Sequence, residues 1–102
     1  MVESATQRSQ TEAYAEIFGA LSEPVRLEIV RMIAETDELP CTILDATLPI
    51  AKSTISYHVK VLSHAGLISV RKSGRYYFYQ VRQQAFEEHL PGFLNRLQGR
   101  AQ

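Results

Sequence analysis

At Gly66 the apolar pattern of this chain changes period, and that change limits the fold more than any other feature. Upstream, Ile55, Val59 and Leu62 recur at helical spacing over residues 52–64, while Ser53, Ser56, Tyr57 and Lys60 occupy the opposite face at i, i+3, i+4 and i+7. Downstream, Leu67–Arg71 and Tyr76–Val81 are rich in β-branched and aromatic residues and flank Lys72-Ser73-Gly74-Arg75, the pattern of a β-hairpin with a basic tip. Gly66 itself is a good helix stop. Along the second strand Tyr77, Tyr79 and Val81 alternate with Tyr76, Phe78 and Gln80, so one set is expected to face the core.

The rest of the chain reads as helical. Ser9 followed by Glu12 has the form of a capping box, and Tyr14, Ile17, Phe18 and Leu21 form one stripe of the helix it would start, weakened slightly by Gly19. Ser22 can cap a second helix, with Pro24 tolerated in its first turn. Val25, Leu27, Ile29, Val30, Met32 and Ile33 cover more than one face of it, as expected of a central helix. The acidic stretch Glu35–Glu38, read as a solvated loop, and Pro40 end it. A short third helix, roughly Cys41 to Leu48, is expected to turn Ile43, Leu44 and Leu48 inward before Pro49 breaks it. In the last helical stretch Phe86, Leu90, Phe93, Leu94 and Leu97 share a face, and Pro91-Gly92 must kink or restart it.

These elements predict a mostly α fold with a small β-hairpin wing. It forms one domain over residues 9–98, with a helix-turn-helix at about 41–64, the wing at about 67–81, and residues 1–8 and 99–102 as flexible ends. A single small domain has little reason to carry an apolar helix at each end. Pairing the first and last helices with a second copy would bury both, which nominates Tyr14, Ile17, Phe18, Phe86, Leu90, Phe93, Leu94 and Leu97 as a dimer interface.

The 102-residue chain is formally neutral, yet its charge is divided. Residues 1–50 hold three basic and nine acidic side chains, a net −6, and residues 51–102 hold eight and two, a net +6. Between Lys52 and Arg82 there are six bases and no acid, as expected where one surface meets a polyanion and another is kept from it. No apolar run approaches the ~20 residues that span a bilayer, and the polar start MVESATQRSQ lacks a signal-peptide core. A cytoplasmic protein without membrane partners is expected, and the lone Cys41 fits a reducing compartment. Catalysis finds no support: there is no glycine-rich phosphate loop, no acid pair on a common face, and no nucleophile beside a histidine with an orienting acid.

Two helices joined by a tight break and followed by a basic hairpin describe a winged helix-turn-helix. A helix fits the major groove of B-DNA, where base edges are distinguishable. Ser53, Thr54 and Ser56 are short enough to allow close approach, Tyr57 is placed for a base or phosphate contact, and Lys52 and Lys60 can reach phosphates. Arg71, Lys72 and Arg75 put the hairpin tip against the backbone or in the minor groove.

At these residues the chain resembles the ArsR/SmtB family of bacterial winged-helix repressors. ALSEPVRLEIV (20–30) is similar to that family's Leu-x-x-Pro-x-Arg helix start. KSTISYHVKVLSHAGLI (52–68) is similar to its recognition helix and Ala-Gly-Leu-Val exit, with Val59 in place of leucine, and RKSGRYYFYQV (71–81) to its Gly-Arg wing. The resemblance covers about residues 14–97. It implies a homodimeric, sequence-specific regulator of double-stranded DNA acting on an inverted repeat, a repressor released by an inducer. The metal-sensing Glu-Leu-Cys-x-Cys motif is absent: its cysteine positions fall on Pro40 and Thr42, with Cys41 in the spacer. Soft-metal chelation needs at least two thiolates in reach of one ion. The last helix offers Glu87, Glu88 and His89 without the aspartate and second histidine of another sensor class. No metal and no cofactor are therefore expected. The switch is left open between a small organic inducer, Cys41 oxidation, an unrecognised metal site and a change in protein level.

Several residues carry two readings. Cys41 reads first as a small apolar side chain and second as a redox thiol. His58 is expected half-buried and hydrogen-bonded, His64 near the carbonyls that end its helix, and His89 at the surface or dimer interface. Tyr76 to Tyr79 read as packing residues before they read as base-stacking platforms. The rival for the whole chain is a winged-helix module that docks on another protein, with incidental DNA affinity.

Overall fold

The computed structural model describes residues 2–100, with side chains from Gln10 onward; Met1, Ala101 and Gln102, part of the expected flexible ends, lie outside the described residues. Helix α1 spans Val2–Ala20. Ser9 therefore lies inside it rather than at its cap, because nothing between Val2 and Ser9 is a glycine or proline that would stop the helix. The α1 stripe splits: Ile17 and Leu21 are buried, with Ala20, whereas Tyr14 and Phe18 are exposed.

Helix α2 (Pro24–Ala34) starts on a proline whose missing N–H is not needed in the first turn. Ser22 does not cap it. The Ser22 hydroxyl instead donates to the Gly19 carbonyl at 2.7 Å, closing the end of α1, and Glu23 stands at the α2 cap without a side-chain bond. The open carbonyls of α1 are the nearer partner. Ile29, Val30 and Ile33 are fully buried, and α2 packs against the recognition-helix region, the sheet and the C-terminal end, as a central helix should.

Pro40 does not simply end a helix: Leu39–Pro40 form a two-residue strand, β1. Helix α3 (Cys41–Thr47) and helix α4 (Lys52–His64) follow. Leu44 is fully buried, but Ile43 is 44% exposed, contrary to expectation. Adjacent helical positions differ by about 100°, and in a two-turn helix the face that buries Leu44 leaves its neighbour outside.

Strands β2 (Ile68–Ser73) and β3 (Tyr76–Val81) pair antiparallel from Ile68↔Val81 to Ser73↔Tyr76. Beyond β3, Leu39↔Tyr79 and Pro40↔Phe78 add β1, giving the order β1-β3-β2. The strand before the turn runs to Ser73 rather than Arg71, since the loop is only Gly74-Arg75. Gly74 has φ 64°, and no non-glycine residue among those described has positive φ, which fits a type II′ turn with glycine at its first central position. Helices α5 (Gln83–His89) and α6 (Phe93–Leu97) are the expected interrupted pair. Gly92 at φ 83° restarts the chain, and Phe86 stacks on Phe93 with centroids 6.0 Å apart.

Candidate nucleic-acid interface

The two stripes of α4 sort as their spacing requires. Ile55, Val59 and Leu62 are buried with His58, while Lys52, Ser53, Thr54, Ser56, Tyr57 and Lys60 are exposed. Tyr57 is 60% exposed, a large value for an aromatic on a packed helix. Apolar anchoring on one side thus fixes the rotation of α4 and presents short hydroxyls, a phenol and two ammonium groups on the other. No residue from 52 to 82 is acidic.

The wing carries three further cations, each set on an aromatic ring. Arg71 faces Phe78 across the ladder, with its guanidinium 4.5 Å from the ring centroid, and Lys72 faces Tyr77 at 5.8 Å. Arg75 lies 6.0 Å from the Tyr76 ring. Tyr76, Tyr77 and Phe78 therefore support cations, and within Tyr76–Tyr79 only Tyr79 is buried. Burial, with the nearby Cys41, Asp45 and Tyr77 adding to it, pushes the Tyr79 phenol up to about 12.

Arg71 is further engaged. Its Nε and NH2 groups donate to both carboxylate oxygens of Glu38 at 2.9 and 2.8 Å, and these hydrogen bonds hold the Glu38 carboxyl below its usual range. Arg71 is thus a strut between the wing and the segment before β1, unlike Lys72 and Arg75. Charge pairing is also local in the acidic half: Arg31 bridges Glu28 and Glu35 on α2.

A groove of about 480 Å³ separates α4 from the wing, with Ser56, Lys60, Ser63 and His64 on the helix side and Val70 and Tyr77 on the other. Ser63, His64, Val70 and Tyr77 were not singled out from sequence as contact residues. The i, i+4 spacing of Lys60 and His64 was the available signal.

The Tyr14 ring meets His89 of α5 edge-on, with centroids 5.2 Å apart, and lies 6.0 Å from Phe18 on its own helix. Leu90, Phe93, Leu94 and Leu97 are partly buried against the core. Ile17 (3%) and Phe86 (2%) are consumed by the protomer's own core and have little surface left for a partner. Cys41 is half-buried, and its Sγ accepts the Tyr77 N–H at 3.4 Å. Among the described residues no three of His, Cys, Asp or Glu cluster in a way that could hold a metal ion, and no helix is long and apolar enough to cross a membrane.

A family of helix-turn-helix domains matches residues 21–71, half of the chain. An uncharacterized HTH-type transcriptional regulator, YceK of Bacillus subtilis (strain 168), is 39% identical over 92 residues, 89% of this chain and 92% of that protein. The HTH-type transcriptional repressor SmtB of Mycobacterium tuberculosis (strain CDC 1551 / Oshkosh) is 32% identical over 72% of this chain and 54% of its own length. Among solved structures, an ArsR-like transcriptional regulator from Rhodococcus sp. RHA1 superposes with a TM-score of 0.72 at 24% identity, covering 89% of this chain and 84% of that one. With a buried-backed recognition helix beside a basic wing, this chain belongs to the ArsR/SmtB family of helix-turn-helix, DNA-binding transcriptional regulators, which are not enzymes.

Proposed function

We propose that the protein is a cytoplasmic, homodimeric repressor that reads an inverted repeat in double-stranded DNA and is released by a small-molecule inducer. Each α4 enters a major groove, where Ser53, Thr54, Ser56 and Tyr57 meet base edges while Lys52 and Lys60 meet phosphates. Lys72 and Arg75 extend the phosphate contacts from the wing. The observation that carries this reading is the outer face of α4, where the short polar residues and both lysines are exposed and the apolar stripe is buried, in a segment from 52 to 82 that contributes no acid.

The second copy docks on a face formed by Tyr14 and Phe18 of α1 with the partly buried Leu90, Phe93, Leu94 and Leu97. Two-fold symmetry then sets half-site centres about 10 bp apart. Selection of bound sequences from a random duplex pool at two salt concentrations tests the reading. An enriched inverted repeat with that spacing is the expected result. Retention that is blind to sequence and vanishes at moderate salt would transfer the case to a protein-docking module.

A further inference from the structure

We propose that Arg26 is a positioning residue for DNA recognition, which holds α4 against the end of α1 through His58. The proposal rests on the DNA-reading role of α4 set out above. Arg26 is only 9% exposed, and so is His58. The Arg26 Nε donates to the Ala20 carbonyl at 2.7 Å, and a longer contact at 3.4 Å runs from its NH2 group to the Gly19 carbonyl. Its NH1 group lies 3.0 Å from His58 Nδ1. One guanidinium from α2 therefore spans the C-terminal carbonyls of α1 and the middle of α4.

The chemistry of the pair fixes its direction. A guanidinium has donors and no acceptor, so in this contact His58 Nδ1 presents its lone pair and the ring proton is on Nε2. His58 is followed by Val59, which is buried, and preceded by Tyr57, which is exposed, with ring centroids of the two aromatics 5.6 Å apart. Rotating or sliding α4 would break the bond to Nδ1 and move Tyr57 and Ser56 together.

Burial of an arginine without a carboxylate is costly, and among the described residues Arg26 forms no ion pair. Its charge is met by the negative end of the α1 dipole and by two carbonyls. An apolar side chain would fill the site more cheaply. What a leucine there could not do is tie α1, part of the proposed dimer face, to the helix that reads bases. Through that tie the position of each α4 is referred to the two-fold axis, which is what half-site spacing measures.

The test uses the full chain and the operator selected by the wild-type protein. His58→Asn keeps an acceptor at the place of Nδ1 for Arg26, His58→Leu keeps volume without one, and Arg26→Lys keeps charge but loses the fork. Affinity is measured for the operator, for operators with half-sites moved by one base pair, and for scrambled duplex at the same salt. His58→Leu and Arg26→Lys should lose about tenfold or more on the operator, as for a buried donor left unpaired. Both should leave scrambled-duplex affinity intact and relax the preference for spacing, and His58→Asn should keep most of the wild-type affinity.

Equal losses in His58→Asn and His58→Leu would overturn the proposal, since His58 would then act by itself. So would wild-type spacing preference in Arg26→Lys. If His58→Leu does not melt cooperatively, the Arg26→Lys and His58→Asn results decide. Failure of the wild-type protein to select any sequence would sink the DNA reading instead, a result distinct from failure of the Arg26 contact.

Discussion

Lys60 and Tyr57 are near neighbours on the outer face of α4, but their removal should be felt differently. Lys60→Ala is expected to weaken binding to all duplexes alike and to flatten the dependence of log affinity on log salt by about one unit, since one phosphate contact is lost. Tyr57→Ala should leave the salt slope unchanged and narrow the gap between operator and scrambled duplex by about tenfold, the cost of one mismatched pair. Salt titrations of both variants against both duplexes read the difference. A third residue reports on the fold. Tyr79, raised to about 12 by burial, keeps its proton in the folded state after an unfolded chain has lost it near 10. Folding stability from this group is therefore present below pH 10 and lost between about 10 and 12. Tyrosinate absorbance should show one of the five tyrosines titrating late, and Tyr79→Phe should flatten that part of the stability profile.

At the scale of elements, the wing is held at its base by Arg71 on Glu38. Glu38→Gln should release Arg71 for a phosphate, steepening the salt slope by about one unit and tightening low-salt binding. An unchanged slope would show that the Phe78 ring alone keeps Arg71 in place. The same region shows where sequence reading succeeds and where it stops. Helix α4 and the hairpin were legible because their signals are local: a 3.6-residue stripe, a glycine stop, then β-rich runs around a turn. Strand β1 was not, because two residues carry no period and their pairing partners, Tyr79 and Phe78, lie far along the chain. Ser22 looked like a start signal and serves as an end signal, since both helix ends compete for its hydroxyl. The contact face of α4 could be read from spacing, whereas the engagement of Arg71 by Glu38 depends on which strand edge the acidic loop meets. Arg26 and His58 likewise sit 32 positions apart, and nothing local announces their bond.

For the whole molecule, the proposed dimer makes a direct prediction. Phe18 is 55% exposed, so Phe18→Glu should change protomer stability little, by about 0.5 kcal/mol or less, while shifting the protein towards monomer in sedimentation velocity. Operator affinity should then fall steeply and scrambled-duplex affinity should not. A dimer undisturbed by Phe18→Glu would move the interface elsewhere. The architecture also settles how copies do not associate. The three-stranded sheet ends on one side at a two-residue strand containing Pro40, which has no N–H to offer, and on the other at β2, where the exposed Lys72 repels an incoming strand of like charge. Both borders are poor templates for a further strand. A regulator that concentrates on DNA thus carries its most aromatic segment, the central strand β3, in a form resistant to growing into fibrils.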